Sequence, residues 1–94
     1  MSLTFGTGEL PADEAVVSAG HEPNGYFWEG LVTFVWPDLA ARLDFDCEAG
    51  MFAADGELAD LEALRDVLAP VLEDPAATAG LIARAEAADF EFDD

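Results

Sequence analysis

The sequence has no lysine, one cysteine and one histidine among its 94 residues. With Cys47 alone no intramolecular disulfide can form, which is typical of a protein from a reducing compartment. Residues 1–5 have neither the basic nor the apolar region of a signal peptide. No apolar run approaches the roughly 20 residues that a membrane-spanning helix needs. We therefore expect a cytoplasmic protein with no membrane partner.

The residue patterns that carry catalysis or hold a cofactor are also missing. His21 and Cys47 match no zinc spacing, and no base, nucleophile or oxyanion-stabilising motif accompanies His21. Asp44, Asp46 and Glu48 resemble the start of a calcium loop, but the glycine pattern of such a loop is absent. There is no glycine-rich phosphate loop. The sequence predicts no enzymatic activity, no cofactor and no specific metal site.

Positive charge is scarce. Twenty-one acidic residues stand against three arginines (Arg42, Arg65 and Arg84), which gives a net charge of −18. Most carboxylates must repel one another, which destabilises a compact state unless something compensates. Nucleic acid and anionic membranes attract lysine and arginine, so a basic protein is the expected partner instead. Adaptation to high intracellular salt, where charges are screened, or a GC-rich genome would produce the same composition.

Hydrophobic residues make up 52% of the chain, enough for one core and a single domain over residues 1–94. Residues 1–13 are turn-rich and expected to be loosely ordered, with a strand at 3–5. The apolar run at 15–19 predicts a second strand, followed by a turn at 21–25. Residues 26–36 fit two patterns: the preceding Asn-Gly and the β-branched content favour a hairpin strand, whereas apolar spacings of three and four favour a helix.

Strict alternation at residues 43–47 predicts a strand with one buried side, returning after a turn at 48–50 as an antiparallel hairpin. A leucine stripe from residue 58 to 71 predicts an amphipathic helix, which Pro70 should kink or end. Asp74 is expected to cap a last helix that runs to residue 88. Residues 90–92 alternate and could dock two phenylalanines on the body, leaving residues 93–94 in water.

Acidic and polar residues in the turn and the hairpin remain as candidates for binding a partner. They are His21, Glu22, Asn24, Glu29, Asp44, Asp46, Glu48 and Asp55. A solvated sheet face is the competing interpretation of the hairpin carboxylates. Trp28, Tyr26 and Trp36 are better interpreted as core residues than as binding anchors.

Residues 21–30 (HEPNGYFWEG) and 43–52 (LDFDCEAGMF) resemble the Immunity protein 51 family, and the similarity covers roughly residues 14–94, including the closing FEFDD. Members of that family are small bacterial proteins encoded beside polymorphic toxins, which they bind and neutralise. The family has proline where this chain has Cys47. The resemblance implies that residues 26–35 are helical and that the partner is a cognate toxin domain with a basic surface.

Together these patterns predict an α+β fold of element order β-α-β-β-α-α, with the helices on one face of a small antiparallel sheet. The opposite face would then be free for Asp44 and Asp46. Three hypotheses follow for function: an acidic immunity protein, a nucleic-acid mimic that sequesters another basic protein, and a salt-adapted interaction domain with no dedicated toxin.

Overall fold

A three-stranded antiparallel sheet and five helices form the part of the chain that the computed structural model describes, residues 1–92. In chain order the elements are β1 (Ser2–Gly6), α1 (Asp13–Ser18), α2 (Gly25–Val35), α3 (Pro37–Ala40), β2 (Asp44–Phe45), β3 (Met51–Asp55), α4 (Leu58–Glu73) and α5 (Pro75–Ala87). The predicted α+β class is confirmed, and the predicted order holds in outline, with α1 and α3 as short additional helices.

The sheet has the order β1-β3-β2, so β3 is the central strand and β1 and β2 are the two edges. Strand β1 lies within residues 1–13 and confirms the strand expected at 3–5. It pairs along its whole length with β3. Leu3 and Phe5 lie opposite Ala54 and Phe52, and the rings of Phe5 and Phe52 stack at 4.8 Å. This apolar face packs against the helices and forms the floor of the core.

Residues 15–19 are not a strand, and that prediction is wrong. The segment belongs to α1, a short helix that packs against α5. Val16 is buried and Val17 is 60% exposed, so the run has one apolar side rather than two. The N–H of Leu10 donates to Asp13 at 3.1 Å and closes the turn that precedes the helix. A tertiary partner, α5, therefore decides the conformation of a segment whose valines favour a strand.

Residues 26–35 are helical, which resolves the two competing patterns. Phe27, Trp28, Leu31 and Val32 line the buried side of α2. Pro70 does not end α4, which continues to Glu73. The proline lies in the last turn, so it removes a single backbone hydrogen bond near an end that frays in any helix.

The Asp74 side chain caps α5 by accepting from the N–H of Ala76 at 3.0 Å, as predicted. Phe90 and Phe92 dock on α2, with Phe92 stacked on Phe27 at 4.8 Å. The prediction for residues 93–94 lies outside the described residues. No helix within residues 1–92 combines the length and the apolar character needed to span a membrane.

Candidate partner-binding surface

Strands β2 and β3 form a tight hairpin. Glu48 and Met51 exchange two backbone hydrogen bonds of 2.8 and 3.2 Å, which leaves Ala49 and Gly50 as the loop. The side chain of Thr7 holds this loop by donating to the carbonyl of Ala49 at 3.0 Å. The hairpin end is therefore tied to the segment that follows β1.

The pleat of this hairpin sorts its side chains as the alternation predicts. Leu43 and Phe45 pack against the core, whereas Asp44 and Asp46 are exposed on the other side. Asp44 lies directly opposite Asp55 on β3. The four carboxylates of Asp44, Asp46, Glu48 and Asp55 are called the acidic hairpin face below.

This side of the sheet carries no helix among the described residues. A shallow depression of about 230 Å³ lies there and is lined only by strand and hairpin residues: Ser2, Thr4, Asp46, Met51, Ala53, Ala54 and Asp55. The prediction that one face stays free for the hairpin carboxylates is thus confirmed for residues 1–92.

None of the arginine ion pairs within residues 1–92 involves the acidic hairpin face. Arg42 pairs with Asp60 at 2.9 Å, and Arg65 pairs with its neighbour Asp66 at 3.2 Å. Within the described residues, the only positive group paired with this face is the amino group of Met1, 3.5 Å from Asp55. Like charges directly opposite each other on neighbouring strands destabilise a sheet. The Asp44–Asp55 pair is therefore an arrangement that folding alone does not favour.

The turn before α2 is packed against the end of the hairpin. The N–H of Gly25 donates to the carbonyl of Glu48 at 3.1 Å. A Cβ at Gly25 would overlap the carbonyl oxygens of Met51 and Glu48, which are backbone atoms that cannot swing aside. Glycine is required here because the helix terminus and the hairpin backbone approach so closely. The two segments singled out from the sequence are therefore neighbours.

Asn24 is structural rather than a surface contact. It is 8% exposed, and its side-chain oxygen accepts from the N–H of Phe27 at 2.9 Å, which makes it the N-cap of α2. Its contact with a partner stays a prediction, whereas in the fold it positions the turn and little of its own surface is exposed.

Glu29 lies on α2, beside the Cys47 thiol of the hairpin. Burial raises the pKa of Cys47 to about 11, and the nearby carboxylate of Glu29 contributes in the same direction. The thiol is held by the backbone of Ala53, with its sulfur 3.5 Å from both the amide nitrogen and the carbonyl oxygen. At neutral pH Cys47 is a protonated, unreactive packing group.

His21 also faces inward. Its side chain is 20% exposed, and its ring lies 4.7 Å from Phe92 and 5.6 Å from Phe27. Its Nε2 atom is 3.7 Å from the carboxylate of Glu86 on α5. Glu22, the next residue, is exposed. Of the predicted turn residues, Glu22 is thus the most accessible.

Tyr26 is the residue that the sequence interpretation missed. Expected in the core, it is 42% exposed at the start of α2, next to Gly25 and hence to the hairpin end. Its position was detectable, because Tyr26, Glu29 and Thr33 form the polar stripe of the helix at spacings of three and four. An exposed tyrosine next to Gly25, whose N–H bonds to the backbone of Glu48, supplies apolar contact area and a hydroxyl to a surface that otherwise offers charge.

No group of three or more histidine, cysteine or acidic side chains within residues 1–92 is arranged to hold a metal ion. The chain matches no family model, no curated protein and no solved structure.

Proposed function

We propose that this chain is an acidic immunity protein that binds a cognate bacterial toxin in the cytoplasm and neutralises it by covering a basic surface. The contact surface is the acidic hairpin face together with Tyr26 and Glu22 beside it. The proposal includes membership of the Immunity protein 51 family, which rests on the motifs at residues 21–30 and 43–52.

The observation that carries the proposal is the pair of carboxylates at Asp44 and Asp55. They lie opposite each other on a sheet face that no described helix covers, and within residues 1–92 the one cation paired with either of them is the amino group of Met1, at Asp55. Such a pair costs stability in the free protein, whereas a cation from a partner converts the repulsion into attraction. Selection for binding explains the arrangement, since selection for folding would place the charges apart.

The carboxylates and Tyr26 contribute to binding in different ways. The carboxylates steer a basic partner and raise the association rate, an effect that falls as ionic strength rises. Tyr26 supplies the desolvated contact, because tyrosine is among the residues that dominate interface energies. Steering without such an anchor would give fast but weak association.

Charge reversal at the centre of the acidic hairpin face tests the proposal. A toxin candidate is any large secreted protein whose gene adjoins this one, and the assay is survival of cells that express the C-terminal domain of that candidate. Asp44→Lys with Asp46→Lys should abolish protection, while folding is unchanged or improved because a cation now lies opposite Asp55.

The matched control changes the same number of charges elsewhere. Glu14 and Glu73 are exposed on α1 and α4, away from the hairpin. Replacing both with lysine should leave protection intact. Full protection by the Asp44/Asp46 variant would place the toxin contact on another surface.

A salt-adapted domain is the second candidate, because acids are also spread along α4, at Asp60, Glu62, Asp66 and Glu73. That function predicts a steep rise in the free energy of unfolding between 0.1 and 2 M KCl, since salt screens repulsion. The immunity function requires a protein that is already folded at low salt. Equal affinity for unrelated basic proteins would instead indicate a nucleic-acid mimic.

A further inference from the structure

Strand β1 lies at the edge of the sheet with one side of its backbone open. The N–H of Gly56 donates to the carbonyl of Met1, and the N–H of Thr7 donates to the carbonyl of Gly50. Because hydrogen-bonded pairs alternate in an antiparallel ladder, Leu3 and Phe5 bond to β3. The N–H and C=O groups of Ser2, Thr4 and Gly6 therefore point away from β3, and no described residue bonds to them.

A groove follows this open edge, between β1 and α4. Its wider part, about 380 Å³, lies between residues 1–4 and the first half of the helix, and a narrower part of about 200 Å³ continues along Phe5 to Leu72. Its lining is mainly apolar and includes Leu58, which is 53% exposed. The five residues of β1 span about 17 Å, so the groove accommodates an extended segment of similar length.

The sequence of β1 carries none of the residues that keep edge strands from pairing with other chains, and the one arginine that lines the groove beside it is Arg65 of α4. Natural edge strands are protected by charged residues, proline or bulges. The sequence of β1, SLTFG, has neither a charge nor a proline, and its register with β3 is unbroken. Each copy of the chain carries a net charge of −18, which opposes pairing of this edge with a second copy. A positively charged strand meets no such opposition.

We propose that an extended segment of the basic partner binds as a fourth strand beside β1, with apolar and basic residues alternating along it. Its apolar side chains enter the groove against α4, on the side of Leu3 and Phe5. Its basic side chains lie on the open face next to Ser2 and Thr4, about 10 Å from β3 and within reach of Asp55. The proposal rests on the proposed function only in taking the partner to be basic.

A peptide of alternating valine and lysine, eight residues long and fluorescently labelled, tests the strand directly. Fluorescence anisotropy should show binding to the wild-type chain. A peptide of the same composition with four valines followed by four lysines should bind at least tenfold more weakly, since it cannot direct its two residue types to opposite faces. Equal binding of the two peptides would show that charge alone attracts them and would overturn the proposal.

Two variants at one position separate the edge from the rest of the surface. Thr4→Pro removes an outward N–H and should weaken the alternating peptide at least tenfold, whereas Thr4→Ala keeps that N–H and should bind within twofold of wild type. Undiminished binding by Thr4→Pro, with its circular dichroism unchanged, would contradict strand addition. If Thr4→Pro does not fold, two peptides that are N-methylated on alternate amides replace it. Methylation of the amides that face β1 should abolish binding, and methylation of the amides that face away should not. Equal effects of the two methylation patterns would refute the proposal.

The outcome is distinguishable from failure of the proposed function. If Asp44→Lys with Asp46→Lys abolishes toxin protection while Thr4→Pro binds the peptide normally, the edge proposal fails and the immunity function stands. The alternative occupant of the β1 edge is a second copy of the chain, and sedimentation equilibrium tests for it. A wild-type dimer that dissociates in the Thr4→Pro variant would show that a second copy binds the edge and would overturn the proposal.

Discussion

Replacing Gly25 with alanine should separate α2 from the hairpin and destabilise the fold. The added Cβ meets two backbone carbonyl oxygens, those of Glu48 and Met51, and the 3.1 Å bond from the Gly25 N–H to Glu48 must lengthen or break. Overpacking of this kind costs about 1–3 kcal/mol, and the lost hydrogen bond adds about 1 kcal/mol. Alanine's better helix propensity returns less than about 1 kcal/mol at a helix terminus.

The net loss is therefore about 2–3 kcal/mol, which lowers the melting temperature by about 10 °C or more in a domain of this size. Urea unfolding followed by circular dichroism measures it. Gly80→Ala is the matched control, because Gly80 lies within α5 and nothing comes within 4 Å of its added Cβ. That substitution should stabilise by up to about 1 kcal/mol. A Gly25→Ala variant within about 0.5 kcal/mol of wild type would refute the close contact between turn and hairpin.

Three further predictions concern single side chains. Asn24→Ala removes the N-cap of α2 and should lower the unfolding free energy by about 1–2 kcal/mol in urea titrations. Thr78→Val removes the buried 2.8 Å hydrogen bond from the threonine hydroxyl to the carbonyl of Val71 at nearly constant volume. It should lower the free energy of unfolding by only about 1 kcal/mol in the same assay, because the N–H of Asp74 still donates to that carbonyl. Burial raises the pKa of Cys47 in the folded chain from 9.0 to about 11. The stability that the protonated thiol contributes is therefore complete below pH 9 and is lost as the pH rises towards 11. The urea midpoint should fall between pH 8 and pH 10.5, and it should fall less in Cys47→Ala.

Local periodicity predicted the elements whose conformation depends on their own sequence. The alternation at 43–47 identified the hairpin strand and the orientation of Asp44 and Asp46, since one face had to be buried. Asp74 gave the start of α5 for a similar reason, because an N-cap acts within one turn. The β1–β3 pairing was not predictable, since it joins residues about 50 positions apart and no local pattern specifies a partner strand.

The candidate site was predictable to the same extent. Sequence pattern placed Asp44 and Asp46 on one face, but it could not show that Glu29 lies next to Cys47. The capping role of Asn24 was overlooked, although an N-cap acts within one turn. The position of Glu29 depends on how α2 packs against the hairpin, which only the folded chain reveals. Tyr26 was misjudged because its aromatic character suggested burial, whereas it lies on the polar stripe of α2.

Affinity for a candidate toxin domain from an adjoining gene tests the central claim most directly, measured by calorimetry on wild type and on Asp44→Asn with Asp46→Asn. Neutralising two desolvated interface carboxylates should weaken binding at least about thirtyfold, equivalent to about 2 kcal/mol. The same neutralisation at Glu14 and Glu73 should change the dissociation constant less than about threefold. Failure of the wild-type protein to bind, or equal losses in the two double variants, would contradict a toxin-binding acidic hairpin face.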